Sequence, residues 1–162
     1  MILPNHILIP EFVAKAIGEG KTAILPLRGY SMRPYLEDNR DKALLAPLPD
    51  VLRRGDVILA EIAPKRYALH RIVSIDGDAI VMYGDGNFAP EQIHRKDVIA
   101  IAIGFYRKGS DRLDSVSSNS YIIYWKLWVL MRPIRRCLLL AWRLCHYPRI
   151  TIRHIIKKIF KI

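Results

Sequence analysis

Tyr67-Ala68-Leu69-His70-Arg71-Ile72-Val73-Ser74-Ile75 leads through Asp76-Gly77-Asp78 into Ala79-Ile80-Val81-Met82-Tyr83. Two runs rich in β-branched and aromatic residues thus meet at an Asp-Gly pair, where glycine supplies the positive φ that a tight hairpin turn requires. The stretch reads as two antiparallel strands. Outward from it the same texture recurs at residues 22–27, 42–47, 56–62 and 98–106, each run bounded by Gly, Pro, Asp or Asn. Six short strands at this density predict a compact, mainly antiparallel β domain. One short helix is expected ahead of them, because residues 10–17 place apolar side chains at 12, 13, 16 and 17, open on Pro10 and Glu11, and stop at Gly18 and Gly20. A single helix of this size excludes a helix-turn-helix module.

The chain has 162 residues and a net charge of +11, enough for one ordinary domain and an appendage. The charge is unevenly spread. Residues 1–109 hold 15 Lys/Arg against 13 Asp/Glu, a balance of +2, whereas residues 119–162 hold 10 Lys/Arg and no acidic residue. The expected organisation is a β domain over 1–109, a linker over 110–120 with five serines, and a basic helical tail over 121–162. The start of the chain, Met1 to His6, has no basic region and is broken by Pro4, so it is not expected to be a secretory leader. Cys137 and Cys145 form no CxxC pair and lack a paired histidine spacing, so they read as reduced, apolar-behaving thiols, and no metal or cofactor is expected.

Within the tail, residues 121–131 are apolar and aromatic but too short to span a bilayer, and joining them to Cys137–Trp142 would bury Arg132, Arg135 and Arg136 in mid-span. No transmembrane helix is expected. On a helical wheel the last segment places Arg153, His154, Lys157, Lys158 and Lys161 on one half and Ile152, Ile155, Ile156, Ile159 and Ile162 on the other. That pattern describes an in-plane anchor on an anionic membrane surface, with nucleic acid the less favoured partner. The alternative is a helical pair packed on the β domain or on a partner.

Between the first two strands runs Arg28-Gly29-Tyr30-Ser31-Met32-Arg33-Pro34-Tyr35-Leu36-Glu37-Asp38, which suits neither strand nor helix. Gly29 tolerates backbone angles closed to other residues and Pro34 interrupts regular hydrogen bonding, so Ser31 is displayed at a bend. An exposed serine becomes a nucleophile only beside a base. His70 lies in mid-strand, sharing by alternation the face of Ala68 and Ile72, opposite Leu69, Arg71 and Val73. Asp85 lies in the Gly84-Asp85-Gly86-Asn87 turn. A lone strand histidine or an Asp-Gly turn is ordinarily structural. Ser31, His70 and Asp85 together supply the residue types of a nucleophile, a base and an orienting carboxylate.

These boxes resemble those of the signal peptidase I family, and most closely its archaeal and endoplasmic-reticulum-type branch. Gly29-x-Ser31-Met32-x-Pro34 resembles the nucleophile box, Arg54-Gly55-Asp56-Val57-Ile58 the Gly-Asp-Val strand, Leu69-His70-Arg71-Ile72-Val73 the general-base strand, and Gly84-Asp85-Gly86-Asn87 the Gly-Asp-Asn loop. Typical bacterial signal peptidases and the LexA-type self-cleaving repressors, which share the fold, carry lysine where this chain has His70. Tyr35 departs from the small hydroxyl residue common after the proline, and an N-terminal membrane anchor like that of true signal peptidases is not expected in this chain.

The resemblance implies a signal-peptidase or LexA-type β fold and a serine endopeptidase that cleaves a leader or signal-type peptide. Ser31 would attack, His70 would accept its proton, and Asp85 would hold the imidazole. The Ser31 backbone N–H would serve the developing oxyanion, while Gly29 offers no side-chain donor and Met32 would line the substrate groove. Asp78 and Glu91 are rival carboxylates, the first at the far end of a hairpin and the second a supporting residue; His94 is expected to be solvated. The enzyme is expected to be peripheral to a membrane, at the cytoplasmic face, with the tail supplying anchorage and no chemistry. The other readings are a LexA-like self-processing regulator and a catalytically silent peptide-binding protein. Against the regulator, no Ala-Gly dipeptide occurs in the sequence, and no DNA-binding module is expected in the residues before Ser31.

Overall fold

The run Val57-Ile58-Leu59-Ala60 shows no polar alternation because both faces of its strand are covered. Val57 and Leu59 enter one apolar cluster and Ile58 and Ala60 a second, and none of the four is more than 2% exposed. The first cluster gathers Val13, Leu27, Met32, Leu36, Leu45, Phe105 and Tyr121 among others. The second is built from Leu52, Ile72, Ile80, Met82, Ile93 and Val98.

The computed structural model describes residues 11–131 together with 133, 134, 137, 138 and 141. Helix α1 (Glu11–Gly18) precedes strands β1 (Ala23–Pro26), β2 (Lys42–Ala46), β3 (Val57–Ala63), β4 (Arg66–Asp76), β5 (Ala79–Tyr83) and β6 (Glu91–His94). A 3-10 turn (Arg95–Asp97), β7 (Val98–Tyr106), β8 (Leu113–Ser115) and helix α2 (Asn119–Leu130) follow. The strands form one antiparallel sheet of eight, ordered β1-β2-β7-β3-β4-β5-β6 with β8 also on β7. Mainly antiparallel β with a short leading helix is therefore the architecture. In the β4–β5 hairpin Asp76 pairs with Ala79 and Gly77 takes φ 55°.

Three differences from the sequence reading matter for the site. Residues 91–94 form an edge strand whose only buried side chain is Ile93, a pattern too polar and too short to announce itself. Residues 113–115, expected to be linker, pair with the second half of β7. Helix α2 begins at Asn119, and Tyr121 sits in the first apolar cluster at 3% exposure, so the β domain extends past position 109 and takes in the start of the expected tail.

By internal contacts the chain divides into a unit ending at Lys126 and a second starting at Leu127. In the second unit Met131 N–H donates to the Leu127 carbonyl and Leu138 N–H to that of Ile134, and Cys137 is exposed. No helix among the described residues is long and apolar enough to cross a membrane. The two-faced segment 152–162 lies outside the described residues.

Candidate active site

The serine bend is closed at its base by one carboxylate. Asp41, 1% exposed, accepts from the backbone N–H groups of Glu37 and Lys108, both at 2.9 Å, and from the Arg40 guanidinium at 2.7 and 2.9 Å. Burial alone would raise its pKa, but these donors prevail and hold it below the usual carboxylate value. Backbone bonds from Leu27 N to Asp41 O (3.0 Å) and from Asn39 N to Leu27 O (3.1 Å) bring the two ends of the segment together. Gly29, at φ 85°, donates its N–H to Asp38 Oδ1 at 2.7 Å, a conformation only glycine adopts cheaply. Met32, Tyr35 and Leu36 point into the core, Tyr30 is exposed, and Ser31 lies between these extremes, half-buried.

The Gly84–Asn87 loop packs beneath this bend, backbone against backbone. Gly86 N–H donates to the Ser31 carbonyl at 2.7 Å. A Cβ on Gly84 would stand 2.5 Å from that same oxygen, and one on Gly86 would stand 2.7 Å from the Tyr30 carbonyl. Both glycines are required by close approach, and both are legible in sequence as the flanks of Asp85.

His70 occupies the middle of β4, paired in register with Ile58, and is 3% exposed. Its Nδ1 meets the Glu91 carboxylate, which β6 brings alongside. With Glu91 ionised, Nδ1–H donates and Nε2 is the acceptor nitrogen, the arrangement a general base requires. Ser31, His70 and Glu91 all line one cavity of about 580 Å³, whose apolar walls include Leu25, Met32, Leu59 and Leu69, and Gly29 and Asn87 line it as well.

Asp85 is placed elsewhere than expected. It is 2% exposed, and its Oδ1 accepts Arg71 Nε at 3.0 Å while Oδ2 accepts Arg71 Nη2 at 2.7 Å and the Tyr124 hydroxyl at 3.3 Å. The carboxylate on the His70 ring is that of Glu91, and Asp85 instead neutralises a guanidinium that is itself 1% exposed. Burial alone would lower the Arg71 pKa; the Asp85 charge more than reverses this and holds it above the ordinary arginine value. Arg71 Nη1 completes its bonding with the Gly55 carbonyl at 3.0 Å and the Tyr121 hydroxyl at 2.9 Å. Asp78 is exposed at the far end of the β4–β5 hairpin, and His94 is exposed at the end of β6. No group of three or more metal-ligating side chains occurs among the described residues.

Arg71, the Tyr121 that accepts from it and the Tyr124 that donates to Asp85 are not among the site residues expected from sequence. The signal was present: alternation puts an arginine on the same strand face as Leu69, and a charge at an apolar position implies a buried partner. The sequence matches no protein-family model, and no curated protein matches it at a significant level.

Proposed function

We propose that the protein is a serine endopeptidase of the signal peptidase type, acting on an extended leader or precursor peptide through Ser31, His70 and Glu91. The observation that carries the reading is the shared cavity of Ser31 and His70, with the imidazole's other nitrogen engaged by a carboxylate. Ser31 Oγ attacks the peptide carbonyl, His70 takes its proton and passes it to the leaving amine, and water then releases the acyl group by the same route. Glu91 fixes the tautomer and stabilises the imidazolium, the role first expected of Asp85. The Ser31 N–H is the proposed donor to the developing oxyanion, and the Gly86 bond to the Ser31 carbonyl supports it by orienting the bend.

An extended substrate is favoured by the strand edges at the cavity. Among the described residues β1 pairs only with β2, and residues 66–70 of β4 pair only with β3. Both segments contribute cavity wall, through Leu25–Leu27 and Tyr67–Leu69. A peptide strand can add to such an edge by main-chain hydrogen bonds. The C-terminal tail is proposed to hold the enzyme on an anionic membrane surface from the cytoplasmic side, on the strength of its charge and the two faces of residues 152–162.

The test is labelling of Ser31 by a fluorophosphonate in membranes, followed by identification of the precursors that accumulate when Ser31→Ala replaces the native chain. Labelling at Ser31, lost in His70→Ala, supports the reading. An unlabelled native protein that still captures extended peptides would replace it with the silent peptide-binding alternative.

A further inference from the structure

We propose that the first two turns of α2 belong to the machinery that positions Ser31, with Tyr121 and Tyr124 as positioning residues. The proposal rests on the serine-peptidase reading above. Tyr121, Tyr124 and Trp125 stand at helical spacings of three and four and share one face of α2. Each touches a different part of the site's support. Tyr121 accepts from Arg71 Nη1 at 2.9 Å; the Tyr124 hydroxyl donates to Asp85 Oδ2 at 3.3 Å; the Trp125 ring lies 2.6 Å from where a Gly55 Cβ would stand, against the residue whose carbonyl also accepts from Arg71. The Tyr124 ring also stacks on Tyr35, a residue of the serine bend, at 4.5 Å between centroids.

The path from helix to serine is short and stiff. Tyr124 and Arg71 hold Asp85; Asp85 lies between Gly84 and Gly86; Gly86 N–H is bonded to the Ser31 carbonyl. The approach of Gly84 to the Ser31 backbone leaves no room for even a methyl group, so the loop and the bend shift together. A displacement of an ångström at a reacting atom, caused by a change remote from the chemistry, costs about a hundredfold in rate. Removing the two hydroxyls strips one acceptor from Arg71 and one donor from Asp85 inside the core, which loosens the ion pair while leaving both rings to pack.

The full-length Tyr121→Phe/Tyr124→Phe protein tests this. Fluorophosphonate labelling of Ser31 is resolved into its limiting rate and its labelled endpoint, and exchange of the Gly86 amide is followed by NMR. The expected result is a limiting rate lowered about tenfold or more, an unchanged endpoint, and faster Gly86 exchange. A role confined to stability would lower the endpoint and leave the rate of the folded fraction alone. Native-like rate and native-like Gly86 exchange in the folded double variant would overturn the proposal. If the native protein does not label, the peptidase reading falls, and unchanged Gly86 exchange would still overturn the coupling. Should the double variant fail to fold, Tyr124→Phe alone carries both measurements, with the same outcomes deciding.

Discussion

Replacing Glu91 and Asp85 by their amides should fail in different ways. Glu91→Gln keeps the shape of the contact with His70 but removes the charge that selects the tautomer, so turnover should fall by up to about 10⁴, the magnitude known for an orienting aspartate in another triad protease. Its melting should stay near that of the native chain. Asp85→Asn leaves the Arg71 guanidinium buried without its counter-charge, a loss of about 3–5 kcal/mol of stability by analogy with broken buried ion pairs. Denaturant melts and kcat/KM on one cleaved peptide separate the two. An Asp85→Asn protein that melts like the native chain and loses only turnover would return the orienting role to Asp85. Ser31 and His70 were legible in sequence because Gly29, Pro34 and the strand pattern frame them. Glu91 was harder to see, since its contact with His70 spans 21 positions and depends on a short polar strand with one buried side chain.

At the scale of elements, two glycines on loops should respond differently to alanine. Gly84→Ala drives a Cβ to 2.5 Å from the Ser31 carbonyl, so labelling of Ser31 should fall by about a hundredfold if the bend shifts by an ångström. Gly77→Ala meets nothing within 4 Å and should cost only the left-handed backbone strain, about 1–2 kcal/mol in melts, with labelling unchanged. Equal labelling in the two variants would mean that the loop does not set the bend. The strands themselves were readable where apolar runs end in turn residues: 79–83 and 98–106 coincide with β5 and β7. The strands at 91–94 and 113–115 owe their form to neighbours already in place, β5 and β7, and carry little propensity of their own. Helix α2 was visible as an apolar run, but its attachment was not, because a tyrosine hydroxyl seeking a buried arginine has no local signature.

For the whole molecule, buried phenols predict how stability falls at high pH. Burial pushes Tyr121 up to about 12, against the opposing pull of Arg71, and raises Tyr124 and Tyr35 as well. A raised folded pKa favours the neutral phenol in the folded state, so this contribution is whole below about pH 10 and is lost as pH rises through about 12. Denaturation midpoints should drop across that interval, with phenolate absorbance appearing together with unfolding. Tyr121→Phe should flatten the drop. Truncation makes a second prediction at this scale: a chain ending at Lys126 keeps Tyr121, Tyr124 and Trp125 and should melt cooperatively and label at Ser31. One ending at Ser118 loses the buried Tyr121 ring and the Trp125 cover, each worth about 3–5 kcal/mol by large-to-small precedent, and should do neither. Binding to anionic vesicles should be lost with residues 127–162 and, in the full chain, weaken with salt.

The bond from Arg71 to Tyr121 spans 50 positions and reaches a helix that follows every strand of the sheet. During synthesis the sheet residues emerge first, and a domain folds as a unit only once its pieces are available. The serine therefore reaches its working position late in the life of the nascent chain, after the sheet has been made and the helix has left the ribosome. On the proposed peptidase reading, a chain assembled in this order would stay inert while its own unfolded segments are still within reach. Ribosome-bound chains with α2 held inside the ribosome should resist the fluorophosphonate, and chains extended by a spacer that exposes α2 should accept it.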